Sequence, residues 1–421
     1  MGKEPELARR LGTPDAVIIG LGSMIGAGVF AAFTPAAAAA GSGLLLGLVI
    51  AAGVAFCNAT SSAQLAAAYP RSGGTYLYGR ERLGPWPGYL AGWGFVVGKT
   101  ASAAAMAMTF AAYTAPAGWE RPVAVAAVVV LAAVNYHGIT RTAGLARILV
   151  ALVLAALAVA LAAAWIGSGP RAAADFGLDG GLLGHGWYGI LQSAGLLFFA
   201  FAGYARIATM SEEVRRPRRT IPRAIGMSLA IAVAVYAAVG VTVLAVLGSE
   251  GVAATTSPLA AAVEAGSESW AAPVVRVGAA LAALGALLAL IAGLGRTTLA
   301  MARERDLPQW LAAVHPRYQV PHRAEAVLAL LICAVIAVAD LRGAIAFSSF
   351  GVLVYYLVAN IAAFTQPGED RRYPKALQVL GALACIVLVA TLPPPAVALG
   401  ILVFAVGIIG RMLRLRFAGS S

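Results

Sequence analysis

The sequence predicts an all-α polytopic membrane protein of about twelve transmembrane helices, and three observations carry that reading. Of its 421 residues 61% are hydrophobic and 11% charged, with a mean hydropathy of +0.84, far from the balance of water-soluble domains. Apolar stretches near the ~20 residues that a helix needs to cross the hydrocarbon core recur at 15–40, 43–67, 85–113, 122–137, 144–166, 187–210, 222–247, 273–302, 324–340, 343–365, 376–392 and 395–412. Basic residues crowd alternate connections. Lys3, Arg9 and Arg10, then Arg71, Arg80 and Arg82, then Arg141 and Arg147, then Arg215 to Arg223, Arg303 to Arg323, Arg371 to Lys375 and Arg411 to Arg416 share one side, against Arg121, Arg171, Arg276 and Arg342 on the other. The positive-inside rule then makes both termini cytoplasmic in a multi-pass protein of the cytoplasmic membrane. The net charge of +12 is spent on topology, so no nucleic-acid partner is expected; the surrounding partner is the lipid bilayer.

The first segment, from Val17 to Ala40, exceeds a signal core of ~7–15 residues and reads as a spanning helix rather than a cleaved leader. It contains "GLGSMIGAGVF", residues 20–30, which puts Gly20, Gly22, Gly26 and Gly28 roughly 8–20 Å from Asp15 at ~1.5 Å per residue, near mid-membrane. In lipid a broken helix is tolerated only where protein or a water-filled cavity surrounds the break. Close packing of Gly22-x-x-x-Gly26 against a neighbouring helix is the competing explanation. The sixth segment carries "FFAFAGYAR", residues 198–206, with Gly203 at similar depth in a helix running the other way. Two discontinuous helices in corresponding halves are the pattern of inverted-repeat secondary transporters. A break frees N–H groups at the start of its second half and C=O groups at the end of its first. The amides of Ile25, Gly26, Ala27 and Gly28 suit a carboxylate, the carbonyls around Phe201 and Ala202 suit an ammonium, and Ser23 adds a hydroxyl inside the break. Together these groups match the two ends of an α-amino acid.

Three basic residues fall within segments, Lys99, Arg206 and Arg296, while all acidic residues lie at segment ends or in loops, so the embedded charge is expected to be wholly positive. Lys99 is about 21 Å into the third segment, counted from Pro85. An embedded ionisable group is functional by default, with snorkelling to the interface as the alternative. Here it is expected to couple transport to protonation by taking up and releasing a proton. Arg206, two turns before Glu212 and Glu213, suits either a gating ion pair or ligand contact, and Arg296 an anchoring role. Asn58, Thr100, Ser348, Ser349 and Tyr355 are expected to bond neighbouring helices rather than ligand. His137, His185, His315 and His322 are scattered in or beside loops, and Cys57, Cys333 and Cys385 lack ligand spacing. With no phosphate loop, no nucleophile and base at motif spacing and no metal set, neither an ATP-driven pump nor an enzyme is expected, and no cofactor.

Four separated motifs carry a resemblance: "GSMIGAGVF" in the first helix, "AAAYPRSGGTYLYGRERLGPWPGYLAGW" from residue 66, "FFAFAGYARIATMSEEVRRPRRTIPRAI" from residue 198 and "GRTTLAMARERDLPQWLAAVHPRYQVPHRAE" from residue 295. As an ordered set the chain resembles bacterial permeases of the amino acid, polyamine and organocation superfamily. The resemblance implies the leucine-transporter fold, with inverted repeats of five helices each (1–166 and 187–365), helices 1 and 6 broken, and peripheral helices 11 and 12 with the C-terminus (376–421). It places the substrate carboxylate at Gly26, Ala27 and Gly28, the amine at Ala202, and Phe199 as the aromatic that closes over the ligand. Two departures stand out: Ala205 occupies the position where many cationic transporters have an acid, and residues 146–160 lack the helix 5 lysine of several relatives. The expected function is secondary transport of amino acids, neutral ones in particular, by alternating access with protons or an exchanged solute. A cationic amino acid or polyamine transporter is the alternative, and a channel or non-transporting scaffold the rival from another class.

Overall fold

The computed structural model describes residues 11–69, 73–138, 143–175, 181–204, 206–207 and 214–418. These residues are helical throughout, and among them the only β pairing is a single bridge between Leu11 and Val214. The chain opens with α1 (Thr13–Met24), α2 (Ala27–Ala31) and α3 (Phe33–Ala40), three pieces of what the hydropathy pattern gives as one segment. Pro14 in its first turn and Asp15, whose carboxylate accepts the Gly12 amide at 3.2 Å, start α1; Arg147 pairs with the same carboxylate. Then follow α4 (Leu44–Ala68), α5 (Gly74–Leu83), α6 (Pro85–Thr114), α7 (Glu120–Tyr136), α8 (Ala143–Asp175) and α9 (Gly186–Phe201). The second half holds α10 (Pro217–Ala254), α11 (Pro258–Glu264), α12 (Ala272–Arg303), α13 (His322–Val338), α14 (Leu341–Phe364), α15 (Lys375–Thr391) and α16 (Pro394–Ala418).

Among the described residues eight helical stretches are long and apolar enough to cross a membrane, and α9 and α15 are shorter apolar helices. α6 and α14 pack at the centre and are the most enclosed of the long helices, whereas α8 and α16 turn most of their apolar surface outward, with Ile148, Leu152, Ile401 and Leu402 exposed. In a membrane protein such outward residues face lipid.

The sixth apolar run is interrupted where Gly203 was expected to break it, since α9 stops at Phe201 and the chain turns at Ala202 to Tyr204. Several expectations need correction. Two connections read as loops contain α5 and α11, because hydropathy misses short helices of mixed character such as GTYLYGRERL. α10 begins before the expected boundary with Pro222 inside it and bends at Gly248, whose φ of 68° interrupts the helix. The acids lie at segment ends and in connections as expected, but two of them are buried by packing: Glu325, in the first turn of α13, is only 4% exposed, and Asp306 is 2% exposed between Arg80 and Arg411. Three of the four histidines are brought together, His185 lying apart. His137, His315 and His322 gather with Tyr136 and Tyr318, ring centres 4.8–6.3 Å apart, because the α12–α13 connection folds back over the end of α7.

Candidate functional site

Both helix breaks form, and they are built against each other. α1 ends at Met24; Ile25 (ψ 58°) and Gly26 (φ −103°, ψ −136°) leave the helical region before α2 begins. The first turn of α2 leaves the amides of Gly26, Ala27 and Gly28 without an intrahelical acceptor. Ile25 departs from expectation, since its amide donates to the Leu21 carbonyl at 2.6 Å and closes the last turn of α1. A Cβ at Gly28 would lie 2.6 Å from the Ala200 backbone, and one at Gly203 would strike the Ser23 carbonyl. Contact is therefore reciprocal: the second half of the first break sits on the end of α9, and the turn after α9 sits on the end of α1. The close-packing explanation of the glycines holds alongside the break, because two interrupted backbones approach this closely only without side chains. Gly26 likewise packs against Ala286 of α12.

Tyr236 of α10 ties the two breaks together. Its hydroxyl lies 2.6 Å from the Met24 carbonyl and 2.9 Å from the Ala200 carbonyl, both left over at helix ends, and its ring meets Phe201 edge-on at 4.9 Å. On the far side of α9, the Ala202 carbonyl accepts from Lys99 Nζ at 3.3 Å and lies 3.4 Å from the Tyr356 hydroxyl. Lys99 does not snorkel: it is 8% exposed and points into the bundle. Ser23 Oγ donates to the Ile19 carbonyl at 2.9 Å.

Two cavities converge on this junction, of about 150 and 170 Å³. Ser23, Arg206, Ala286 and Ala289 line both. The first runs between α1, α8 and α12 and includes Leu11, Gly22 and Ile25; the second runs between α6 and α12 and includes Phe95, Lys99, Ala202, Gly203, Arg296 and Thr297. Of the residues expected at the site, Ser23, Ile25, Lys99, Ala202, Gly203 and Arg206 line a cavity. Gly26, Ala27, Gly28, Phe199 and Phe201 are buried and line neither. Phe199, expected to close over ligand, is packed in the core at 7% exposure. Arg296 reaches the second cavity rather than serving as an anchor alone. Glu212 and Glu213, the expected partners of Arg206, lie outside the described residues, as does Ala205. Thr100 bonds within its own helix, while Ser348, Tyr355 and Asn58 bond across helices to Ser102, Thr75 and Asn360. Tyr236 and Tyr356 were not singled out from sequence, since a tyrosine in an apolar helix carries no signal of the carbonyl it will meet.

Both cavities reach toward the face on which α1 begins, through Leu11, Gly73 and Ala300. The opposite side is tied shut: Tyr113 donates to the Phe30 carbonyl at 2.9 Å, Thr34 to the Thr255 carbonyl at 2.7 Å, and Arg276 pairs with Glu264 at 2.8 Å. Among the described residues, no Asp or Glu lines either cavity.

A helical membrane bundle with central cavities at two helix breaks, open toward one face and tied at the other, defines a class, that of multi-pass membrane carriers. The chain belongs to the amino acid permease family, whose model matches residues 11–411. It is 60% identical over 404 residues to an uncharacterized transporter of Mycobacterium tuberculosis, covering 96% of this chain and 90% of that one. It is 24% identical over 401 residues to a branched-chain amino acid permease of Bacillus subtilis, covering 90% and 85%. With cationic amino acid transporter 4 of Homo sapiens it shares 30% over 383 residues, covering 84% of this chain and 59% of the human one. The chain is thus a multi-pass membrane transporter of the amino acid, polyamine and organocation superfamily, with amino acids as its substrate class.

Proposed function

We propose that the protein is a secondary transporter of neutral amino acids in the cytoplasmic membrane, working by alternating access with both termini cytoplasmic. The observation that carries this reading is the charge of the cavities, whose described lining residues include Lys99, Arg206 and Arg296 and no acid. Such a lining attracts a carboxylate and disfavours a second positive charge on the substrate. The substrate carboxylate would approach the first break at Ser23 and the Gly26 to Gly28 amides, which requires a small movement of α1 to open them. The substrate ammonium would take the Ala202 carbonyl.

That carbonyl already holds Lys99. Ligand occupancy and the position of Lys99 are therefore linked, which is the differential interaction a coupling residue requires. Arg206, lining both cavities, serves as the gating residue between them. The reciprocal contacts Gly28–Ala200 and Gly203–Ser23 support an inverted pair of repeats over 1–166 and 187–365, with 376–421 peripheral, in a twelve-helix leucine-transporter fold. The cavities at the α1 face support a conformation open toward the cytoplasm.

Counterflow into proteoliposomes tests the reading. Preloaded unlabelled leucine or alanine should accelerate uptake of the labelled neutral amino acid, as a carrier does and a channel or scaffold does not. Saturable counterflow of arginine without competition from neutral amino acids would overturn it in favour of a cationic transporter.

A further inference from the structure

Glu325 is a buried carboxyl that the substrate site does not use. It stands in the first turn of α13, where an acid normally points to water and complements the helix dipole. Here it turns inward. It is 4% exposed and packs onto Gly295 of α12 so closely that a Cβ there would lie 2.9 Å from Glu325 Cγ and 3.2 Å from Oε1. Among the described residues Glu325 Oε2 is enclosed and has no hydrogen-bond partner, and the hydroxyl of buried Thr298, one turn after Gly295 on the same face of α12, has none either. Burying a lone carboxylate is far costlier than burying the same group protonated, which gives up only hydrogen bonding.

On α12 the charged neighbour of Gly295 is Arg296, one residue and about 100° of helix away. Arg296 points into the second cavity, and no ion pair joins it to Glu325 among the described residues. On its own helix Glu325 has His322 one turn earlier, whose Nδ1 is also enclosed without a partner and whose ring meets Tyr136 of α7 and His315 of the α12–α13 connection. Arg323 is turned to the Trp310 carbonyl at 3.5 Å. From α6 the packing against α13 is apolar, through Met106, Ala107 and Ala111.

α12 thus has two working faces. Gly293, Arg296, Thr297 and Ala300 line the cavity, while Gly295 faces Glu325. We propose that Glu325 is a proton-binding site of this transporter, protonated while α12 lies against it and deprotonated when α12 shifts to admit water or Arg296. The site is distinct from Lys99, and its role in transport rests on the amino acid transport reading. The ligand is a proton, and the step is its reversible transfer between Glu325 Oε2 and water.

Infrared titration of detergent-purified full-length protein, wild type against Glu325→Gln, tests the proton directly. The C=O band of a protonated carboxyl should be present at neutral pH in the wild type and missing in the variant; absence of that band from the wild type, or its full persistence in the variant, overturns the proposal. In proteoliposomes, Glu325→Gln should keep neutral amino acid counterflow within about twofold while accumulation driven by a proton gradient falls at least tenfold. Glu325→Asp, shorter but still titratable, should restore part of that accumulation with a shifted pH profile. Unchanged gradient-driven accumulation in Glu325→Gln refutes the site. If the wild type itself shows no amino acid counterflow, the transport reading falls and the infrared result alone decides Glu325.

Discussion

Two groups of charge are buried in this bundle, and they are held in opposite ways. At the face where α1 begins, Asp306 accepts from the Tyr76 hydroxyl, Arg80 and Arg411, each at 2.8 Å, and Arg80 also pairs with Glu304. Arg411 is stacked over Trp86 and Tyr89, 4.3 and 4.8 Å from their ring centres. The cluster joins α5, α6, α16 and the segment after α12 around Asp306, both of whose carboxylate oxygens are occupied, although Arg411 Nη1 is buried without a partner among the described residues. Lys99, by contrast, has one carbonyl at 3.3 Å and a cavity beside it. A saturated buried network resists movement, while a thinly held charge can exchange its partner at small cost. The difference teaches where this molecule is scaffold and where it is machinery.

Removing the acid from the saturated cluster should have the largest effect on stability. Asp306→Asn leaves Arg411, 4% exposed, without its counter-charge, and breaking a buried pair from one side costs about 3–5 kcal/mol. A large drop in the melting temperature of detergent-purified protein is the expected result. A melting temperature within a degree of wild type would erase the contrast with Lys99.

The junction of the breaks comes next. Gly28→Ala puts a methyl against the Ala200 backbone, and overpacking of a close contact typically costs about 1–3 kcal/mol. Because the contact joins the two breaks, counterflow should fall more than tenfold while a moderately destabilised protein still reaches the membrane. Full transport by Gly28→Ala would mean that the breaks tolerate separation and that their reciprocal packing is incidental.

The two regions also differ in how much the sequence disclosed. Apolar runs and basic connections marked nearly every long helix, because hydropathy reports directly on lipid contact. The glycine cluster of "GLGSMIGAGVF" marked the first break, and Gly203 the second, since only a glycine permits the backbone approach found there. Lys99 stood out as a charge among apolar residues. What sequence did not disclose depends on partners far along the chain: that Lys99 would rest on the very carbonyl expected to hold the substrate amine, that Tyr236 would staple both breaks, and that Phe199 would lie in the core. Glu325 and Asp306 look like ordinary end-of-helix and loop acids, because nothing local to them records the helix that buries them.

Lys99 itself should show almost no stability effect and a clear change in selectivity. Lys99→Gln keeps a donor of similar reach for the Ala202 carbonyl and removes a buried charge, an exchange that is often neutral or better for stability. Melting should shift by less than about 1 kcal/mol equivalent, far below the Asp306 variant. With one fewer cation at the cavity, arginine should compete with neutral amino acids about tenfold better, equivalent to about 1.4 kcal/mol. Unaltered competition would show that Lys99 does not set the charge preference.

The smallest expected effect sharpens the comparison at a single hydrogen bond. Tyr356 and Lys99 approach the same Ala202 carbonyl, at 3.4 and 3.3 Å, but Tyr356 is fully buried among Phe198, Tyr204 and Tyr355 and lines neither cavity. Tyr356→Phe keeps the ring and those contacts and removes only the hydroxyl. A net hydrogen bond is worth about 0.5–1.5 kcal/mol, and this one is long, so the stability change should fall at the low end. The carbonyl then has one protein partner, and Lys99 should be held more tightly against substrate. Apparent affinity for a neutral amino acid should weaken two- to threefold, and combining Tyr356→Phe with Lys99→Gln should remove that extra loss. Equal losses in the single variant and in the Lys99→Gln background would mean that the two side chains do not compete for the carbonyl, and that Tyr356 belongs wholly to the scaffold.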